Sequence, residues 1–433
     1  MKFPRRSLLA FSPFLPVALT SSEAKRVDAP IDVESAITEA LTNGTGVLRL
    51  PAGEFQVSGV KINQPFVLEG IPGQTIFQGA LTGPMITVTD TQDVTITGIS
   101  FRGRKQPRTA ATKSAALLMA TRVERVQIRN CAFIDSATSG ARLEASSGEV
   151  LSCRFASLDE FGLIAQDCHA LQISGNALDD MGNGGIAVWQ TAKGHDGARI
   201  SNNVISKVRA ESGGSGQVGN GINVFNGANV TIANNLATDC AYSGIRCNSA
   251  DNAQINGNTV LRSGETALYA EFSFESSIIS GNIIDGATTG ISIANFLQGG
   301  RMATCTGNII RNTRRSEIVG APGIGISCEA ETVVSNNVIE GTDSTAIQLG
   351  WGEYCRNISA QGNIIRNAAR GISFSDAPGA RHVLIAGNMI DQPKEFAIAG
   401  MQWDKVTTGD YLVAAEKPPA QVTMYGNVLI RSP

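Results

Sequence analysis

Four side chains in the middle of this 433-residue chain could do chemistry on a substrate: Arg246, Tyr269, Glu271 and Glu329. Arg246-Cys-Asn248 and Tyr269-Ala-Glu271 share a spacing in which two polar residues flank a small one. On a strand, that period of two points both polar residues to one face. If such strands stack in register, Glu271 and Glu329 lie two coils apart with the small Ala294 between them. Two strand spacings separate their backbones by about 9.6 Å, near the roughly 6.5–9.5 Å between the carboxyls of an inverting glycosidase. The same face offers a second scheme. Elimination or epimerisation of a uronic acid needs a cation to neutralise the sugar carboxylate and a base to remove the adjacent proton. Arg246 could supply the cation and Tyr269 the acid or base. Trp189, Asn223, Asn248, Gln348, Trp351 and His195 are the expected substrate contacts, because aromatic faces stack on sugar rings and amides read hydroxyls. The plainer alternative for Trp189, Phe225 and Tyr269 is packing beneath long loops.

Those positions are meaningful only if the chain repeats, and it does. A motif apolar-x-[Gly/Asn]-Asn-x-apolar occurs at Ile173–Leu178 and Ile200–Ile205, and returns around Asn235, Asn258, Asn282, Asn308, Asn337, Asn363, Asn388 and Asn427. Asn235 to Asn258 is a step of 23 residues and Asn258 to Asn282 a step of 24. A second motif, Gly-Ile-x-apolar, alternates with it at Gly185, Gly221, Gly244, Gly290 and Gly371. Each coil therefore has at least two strands, and no coil can bury its apolar face alone. Identical amides in register stack into a hydrogen-bonded ladder, so the Asn column reads as structure. So does the alternating column Asp285, Arg311, Glu340, Arg366, Asp391. The expected fold is all-β, a single-stranded right-handed parallel β-helix (solenoid) of roughly twelve coils. Residues 32–43 are the expected N-terminal capping helix, with Asp32 as N-cap and Ile37, Ala40 and Leu41 on its apolar face. Residues 404–421 read as an irregular C-terminal insertion.

Composition agrees with short strands and many turns. Glycine numbers 47, aromatics make up 6% and hydrophobic residues 42%. A net charge of −3 argues against a nucleic-acid binder. One stretch is locally basic, with Arg102, Arg104, Lys105, Arg108 and Lys113 and no acidic residue. Its expected role is an anion-holding or merely solvated loop. The eight cysteines show no paired C-x-x-C spacing, and Cys131 and Cys153 share one repeat position, which favours a buried stack of thiols over a disulfide. The Asp179-Asp180 pair reads as a turn, His169, His195 and His382 are scattered, and no metal or cofactor is expected.

Lys2, Arg5 and Arg6 precede an apolar run from Leu8 to Leu19. Residues 1–24 therefore read as an export segment, cleaved between Ala18 and Lys25, with Arg5-Arg6 suited to twin-arginine translocation. The run is too short to span a bilayer. The β-helix domain is expected over 25–433, in the periplasm or secreted.

The helix followed by Leu50-Pro51-Ala-Gly53-x-Phe55, and the Gly-Asn coils, resemble pectate-lyase-like right-handed parallel β-helix proteins. Asn183–Trp189, Gly213–Gln217, Asn220–Phe225, Ala267–Phe272, Gly323–Ile326, Gly350–Gly352 and Gly400–Trp403 more closely resemble a twin-arginine-translocated repeat protein family of unassigned function. The resemblance implies the fold and an export route and supplies no activity. The residues leave hydrolysis, elimination and binding only open, all toward a polysaccharide or oligosaccharide, including an acidic one. The competing class is a non-catalytic structural or protein-interaction solenoid of the cell envelope.

Overall fold

The computed structural model describes residues 32–79, 83–107, 113–295, 299–317, 319–414 and 416–430. Residues 1–24, read above as an export segment with Arg5 and Arg6, and Arg108 of the basic stretch, lie outside them.

From Asp32 onward the chain winds into a parallel β-solenoid with three faces. Each face is a sheet of fifteen strands, and every third strand in sequence is a hydrogen-bonded neighbour. One coil illustrates the winding: Gln172–Ser174 belongs to the first sheet, Ala177–Met181 to the second and Gly184–His195 to the third. The Asn motif, read above as one strand, is therefore two strands and a corner. The Gly or Asn before each amide of the column takes a positive φ, 67° at Gly175 and 57° at Asn202, and this turns the chain from one sheet to the next. The following Asn then points inward. Asn203 donates its amide to Asn235 at 2.9 Å and to the Ile173 carbonyl at 3.0 Å, and its oxygen accepts from Asn176 at 2.9 Å. This ladder runs unbroken to Asn427. Every amide in it is engaged with protein partners, which is what a buried polar group requires.

The stack exceeds the roughly twelve coils signalled by the repeats, because its first coils carry other signatures. Phe55, Phe77, Phe101, Phe133 and Phe155 occupy one inward column, and Phe101, Phe133 and Phe155 stack at centroid distances of 4.9 Å. Cys131 and Cys153 stand in the Asn column of these coils, where the Cys153 N–H donates to the Asn176 oxygen at 2.9 Å. Both thiols are buried, and all eight cysteines are free.

The N-terminal end of the described stack is covered, and at the other end the edge of the third sheet is met. The helix Val33–Thr42 is capped by Asp32, which accepts from the Glu34 and Ser35 N–H groups, and it buries Val33, Ile37 and Ala40 on the first coil. At the other end, Lys405–Val406 turns back antiparallel on Phe396–Gln402. Asp410 then accepts from the Ala397 and Ile398 N–H groups at 2.8 and 3.1 Å. The segment read as an irregular insertion thus satisfies the open edge of the last third-sheet strand, which would otherwise invite pairing with another chain.

Candidate functional site

The third sheet aligns the outward columns. Ala187, Asn223, Arg246, Tyr269, Ser292, Ser327 and Gln348 are successive partners in one column. Trp189, Phe225, Asn248, Glu271 and Ala294 form the second. Parallel in-register pairing makes the spacing a property of the coils and not of loop detail.

Within these columns the structure brings one group together. Arg246 Nε donates to Glu271 Oε1 at 2.6 Å, and Asn248 Nδ2 donates to the same oxygen at 2.8 Å. The Arg246 guanidinium lies over the Tyr269 ring, 5.1 Å from its centroid. Arg246 and Glu271 are 9% and 3% exposed although they sit on the outer face. Arg246 Nη1 is buried and has no acceptor among the described residues. A fifth member, Glu265, sits in the turn before Tyr269 and was not signalled by the strand pattern. Burial pushes its carboxyl above the usual carboxylate range, with Glu271 acting in the same sense, while Arg246 and a hydrogen bond with Ser215 oppose the shift. Burial likewise raises the Tyr269 phenol. A buried cation between two carboxylates and against a ring is the kind of cluster that perturbs proton affinities at working sites.

A loop over residues 209–219 folds back beside this cluster. Ser212 exchanges hydrogen bonds with Asn183. Asn223 Nδ2 donates to the Gly216 carbonyl at 2.9 Å. Between this loop and the sheet is a cavity of about 230 Å³ lined by Trp189, Gln190, Gly216, Gln217, Asn223, Phe225 and Asn248, among others. This is smaller than the roughly 300–1,000 Å³ of typical small-molecule pockets, and Gln166 and Thr191 complete its lining. Phe225 is 40% exposed. Trp189 is more enclosed: it meets Phe161 edge to face at 5.4 Å, and it and Val218 of the loop both pack against the cluster of Phe161, Ile164 and Ala187. Its indole N–H is buried without a protein acceptor. Packing under a loop and lining the cavity are therefore both true of Trp189.

Other expected site residues lie elsewhere. Glu329 is two coils from Glu271, and its Oε2 accepts from the Asn295 N–H at 2.7 Å. Each carboxylate of the expected pair is thus engaged with the coil before its own, Glu271 with Arg246 and Asn248, and Glu329 with the Asn295 N–H just past the end of that coil's strand. Gln348 is three coils from Tyr269. Trp351 meets Trp403 edge to face at 5.5 Å, forming a separate aromatic patch. His195 Nδ1 contacts Asn229 Nδ2 at 2.7 Å beyond a register shift after Trp189, and does not line the cavity. Its neighbour Asp196 is buried, which raises its carboxyl, and is held by Gln190 and the Ala198 N–H. In the basic stretch, Arg102 pairs with Glu54 at 3.5 Å and Lys105 pairs with Asp159.

Residues 124–323, just under half of the chain, match the family model described as periplasmic copper-binding protein (NosD). No curated protein matches the sequence. Among solved structures, the chain is similar to the catalytic unit of the thermostable GH87 α-1,3-glucanase of Streptomyces thermodiastaticus strain HF3-3, with a TM-score of 0.54 and 17% identity over 86% of this chain and 66% of that one. It therefore spans just under two thirds of that catalytic unit. It is also similar to a mutant tailspike protein of E. coli bacteriophage HK620 in complex with a pentasaccharide, with a TM-score of 0.53 and 14% identity over 85% of this chain and 73% of that one. The pre-mature gene product 12 of bacteriophage phi29 gives a TM-score of 0.55 at 12% identity, over 86% of this chain and 67% of that one. At such identities these likenesses are of fold alone.

Copper in the matched family's description does not fit the residues present here. Among the described residues, no three His, Cys, Asp or Glu side chains converge on a point that could hold an ion. The cysteines are buried, and burial holds thiols such as Cys305 and Cys355 up at about 12, so they are not ready thiolate ligands. His195 and His382 bond to asparagines on separate coils.

Proposed function

We propose that the chain is an exported, periplasmic carbohydrate-binding or carbohydrate-active β-helix protein whose glycan lies along the third sheet beside the loop 209–219, and that the glycan is acidic. The observation that carries this reading is the juxtaposition of an amide- and aromatic-lined cavity with a buried arginine that keeps an unmatched donor. Aromatic Phe225 and Trp189 suit the apolar faces of a sugar, and Asn223, Asn248 and Gln217 suit its hydroxyls. Support also comes from the structural relatives, which include a glucanase and a pentasaccharide-bound tailspike. The NosD match supports the periplasm, and Arg5-Arg6 with the repeat-family resemblance supports twin-arginine export.

Of the two enzyme schemes, elimination or epimerisation of a uronic acid fits the cluster better than two-carboxylate hydrolysis. Arg246 would neutralise the sugar carboxylate and so stabilise the charge that develops when the adjacent proton leaves. Tyr269 and Glu265 are the groups positioned to move protons, and Glu271 is a positioning residue that holds the guanidinium. Incubation with a panel of acidic and neutral polysaccharides tests the reading, following binding, reducing ends and unsaturated-uronate absorbance. Preferential binding of acidic chains is expected, and unsaturated ends if the site eliminates. Absence of binding to every glycan would leave the non-catalytic interaction solenoid, which the packing of Trp189 against Phe161 favours.

A further inference from the structure

The second sheet carries an outward surface that the glycan reading does not use. Ile283, Ile309, Val338, Ile364, Met389 and Val428 are successive partners in one column. Five of the six are 38–49% exposed, which places a continuous apolar ridge in solvent. Two residues further along each strand runs the column Asp285, Arg311, Glu340, Arg366 and Asp391, alternating in sign. A ridge of this kind, rimmed by charge, marks an interaction surface more often than a solvated one.

The charge order identifies the occupant. A second copy placed face to face, with the two-fold axis in the interface and across the rod, runs antiparallel and lays each column on itself. An axis passing between the Arg311 and Glu340 coils sets Arg311 opposite Glu340 of the second copy and Asp285 opposite Arg366 of the second copy. Symmetry repeats both pairs, so four opposite-charge contacts form, in addition to the Arg311–Asp285 ion pair of 2.9 Å within each copy. The same operation sets Ile309 opposite Val338 and Ile283 opposite Ile364, apolar on apolar. Shifting the axis by one coil interval, to lie between Glu340 and Arg366, would use Asp391 instead, whose Oδ1 is buried and poorly placed to reach across. A parallel face-to-face arrangement in matching register would oppose like charges.

We propose that this face of the second sheet is a self-complementary surface through which two copies of the chain associate antiparallel. In the favoured register eight coils overlap, from Leu236 to Val428, a length of about 34 Å. Two columns of side chains over that length cover about 500 Å² per copy, below the roughly 800 Å² per partner of a standard stable interface. The dimer is therefore weak and concentration-dependent. It leaves the third sheet of each copy open.

Sedimentation equilibrium of the purified chain tests this, from about 1 µM to about 1 mM, a range that brackets a weak complex. A monomer–dimer equilibrium that weakens with salt is expected. Ile309→Lys with Val338→Lys should leave only monomer, with an unchanged circular dichroism spectrum because both side chains point outward. Arg311→Glu should weaken association about tenfold, since symmetry breaks two exposed pairs at once. Adding Glu340→Arg should restore it, which a merely destabilised fold would not allow. A monomer throughout the range, a dimer indifferent to the lysine pair, or a charge reversal that the second reversal fails to rescue would each overturn the proposal.

Discussion

Arg246 and Glu271, on neighbouring coils, form a buried ion pair of 2.6 Å on the outward face of the third sheet, with side chains only 10% and 4% exposed. Desolvating two charges costs several kcal/mol per ion, so such a pair is a poor way to gain stability. Under the proposed reading, the pair holds the guanidinium for an acidic glycan. Glu271→Ala should lower stability by about 3–5 kcal/mol by leaving a buried cation unmatched. Arg246→Met with Glu271→Leu should recover most of that loss and still fail to bind acidic glycans. Denaturant unfolding beside glycan titration checks both arms. Retained binding in the double variant would remove Arg246 from the site.

The columns that hold this pair were readable because parallel stacking converts sequence spacing into position. Ala187, Asn223, Arg246 and Tyr269 lie in one file as their strand motif implied. What escaped the pattern was everything outside a strand. Glu265 sits in a turn, and the groups that act on it, Arg246, Glu271 and Ser215 in a loop, come from elsewhere in the sequence. Glu329 continues its file but spends a carboxylate oxygen on the Asn295 N–H, a turn contact that no periodicity encodes. The corner at Gly175-Asn176 was hidden for the opposite reason: a sharp turn built from one positive-φ residue leaves the apolar spacing looking like a single strand.

Glu265 gives a pH signature. Its folded carboxyl is raised from an ordinary 4.5, chiefly by burial. Above 4.5 the unfolded chain releases this proton more readily than the folded one, so stability falls as pH rises through the folded value. Replacing Glu265 by Gln removes that loss. The melting temperature of Glu265→Gln should therefore gain on the parent as pH climbs above 4.5, with no gain at lower pH. Asp196→Asn should behave alike above 3.8, since burial raises that carboxyl too. A constant offset across pH would show that neither carboxyl titrates abnormally.

The asparagine ladder should be fragile at its centre. Asn282 accepts from both the N–H and the side-chain amide of Asn258, at 2.9 and 3.1 Å, and donates to Ile255 and Asn308. Asn282→Ala strands several buried partners, at about 1–3 kcal/mol for each group left unsatisfied. The terminal Asn427, which is partly exposed, has one neighbour in the ladder and should tolerate the change better. Hydrogen exchange of the flanking coils measures the difference. Equal protection in both variants would mean that the amides contribute little beyond shape.

Free thiols in the core predict indifference to reductant. Cys131 and Cys153 lie side by side and unlinked, so reducing agent should leave the melting temperature unchanged. A bridge would instead contribute about 2–4 kcal/mol, lost on reduction.

The cavity makes its own demand on affinity. Phe225 and Trp189 both line it, but they differ in what else they support. Phe225 is 40% exposed, so Phe225→Ala should cost little folding stability. If a sugar ring stacks there, the loss should appear in binding instead, by about 1 kcal/mol, or roughly fivefold in affinity. Trp189 also packs on the cluster of Phe161, Ile164 and Ala187, so Trp189→Ala should weaken binding and lower the melting temperature together. Asn248→Ala should lie between them, because Asn248 lines the cavity and also donates to Glu271. Calorimetric titration with an acidic oligosaccharide, paired with thermal unfolding of each variant, separates these outcomes. Undiminished affinity in Phe225→Ala and Asn248→Ala together would exclude the cavity as the glycan site, because no sugar held there could avoid both side chains.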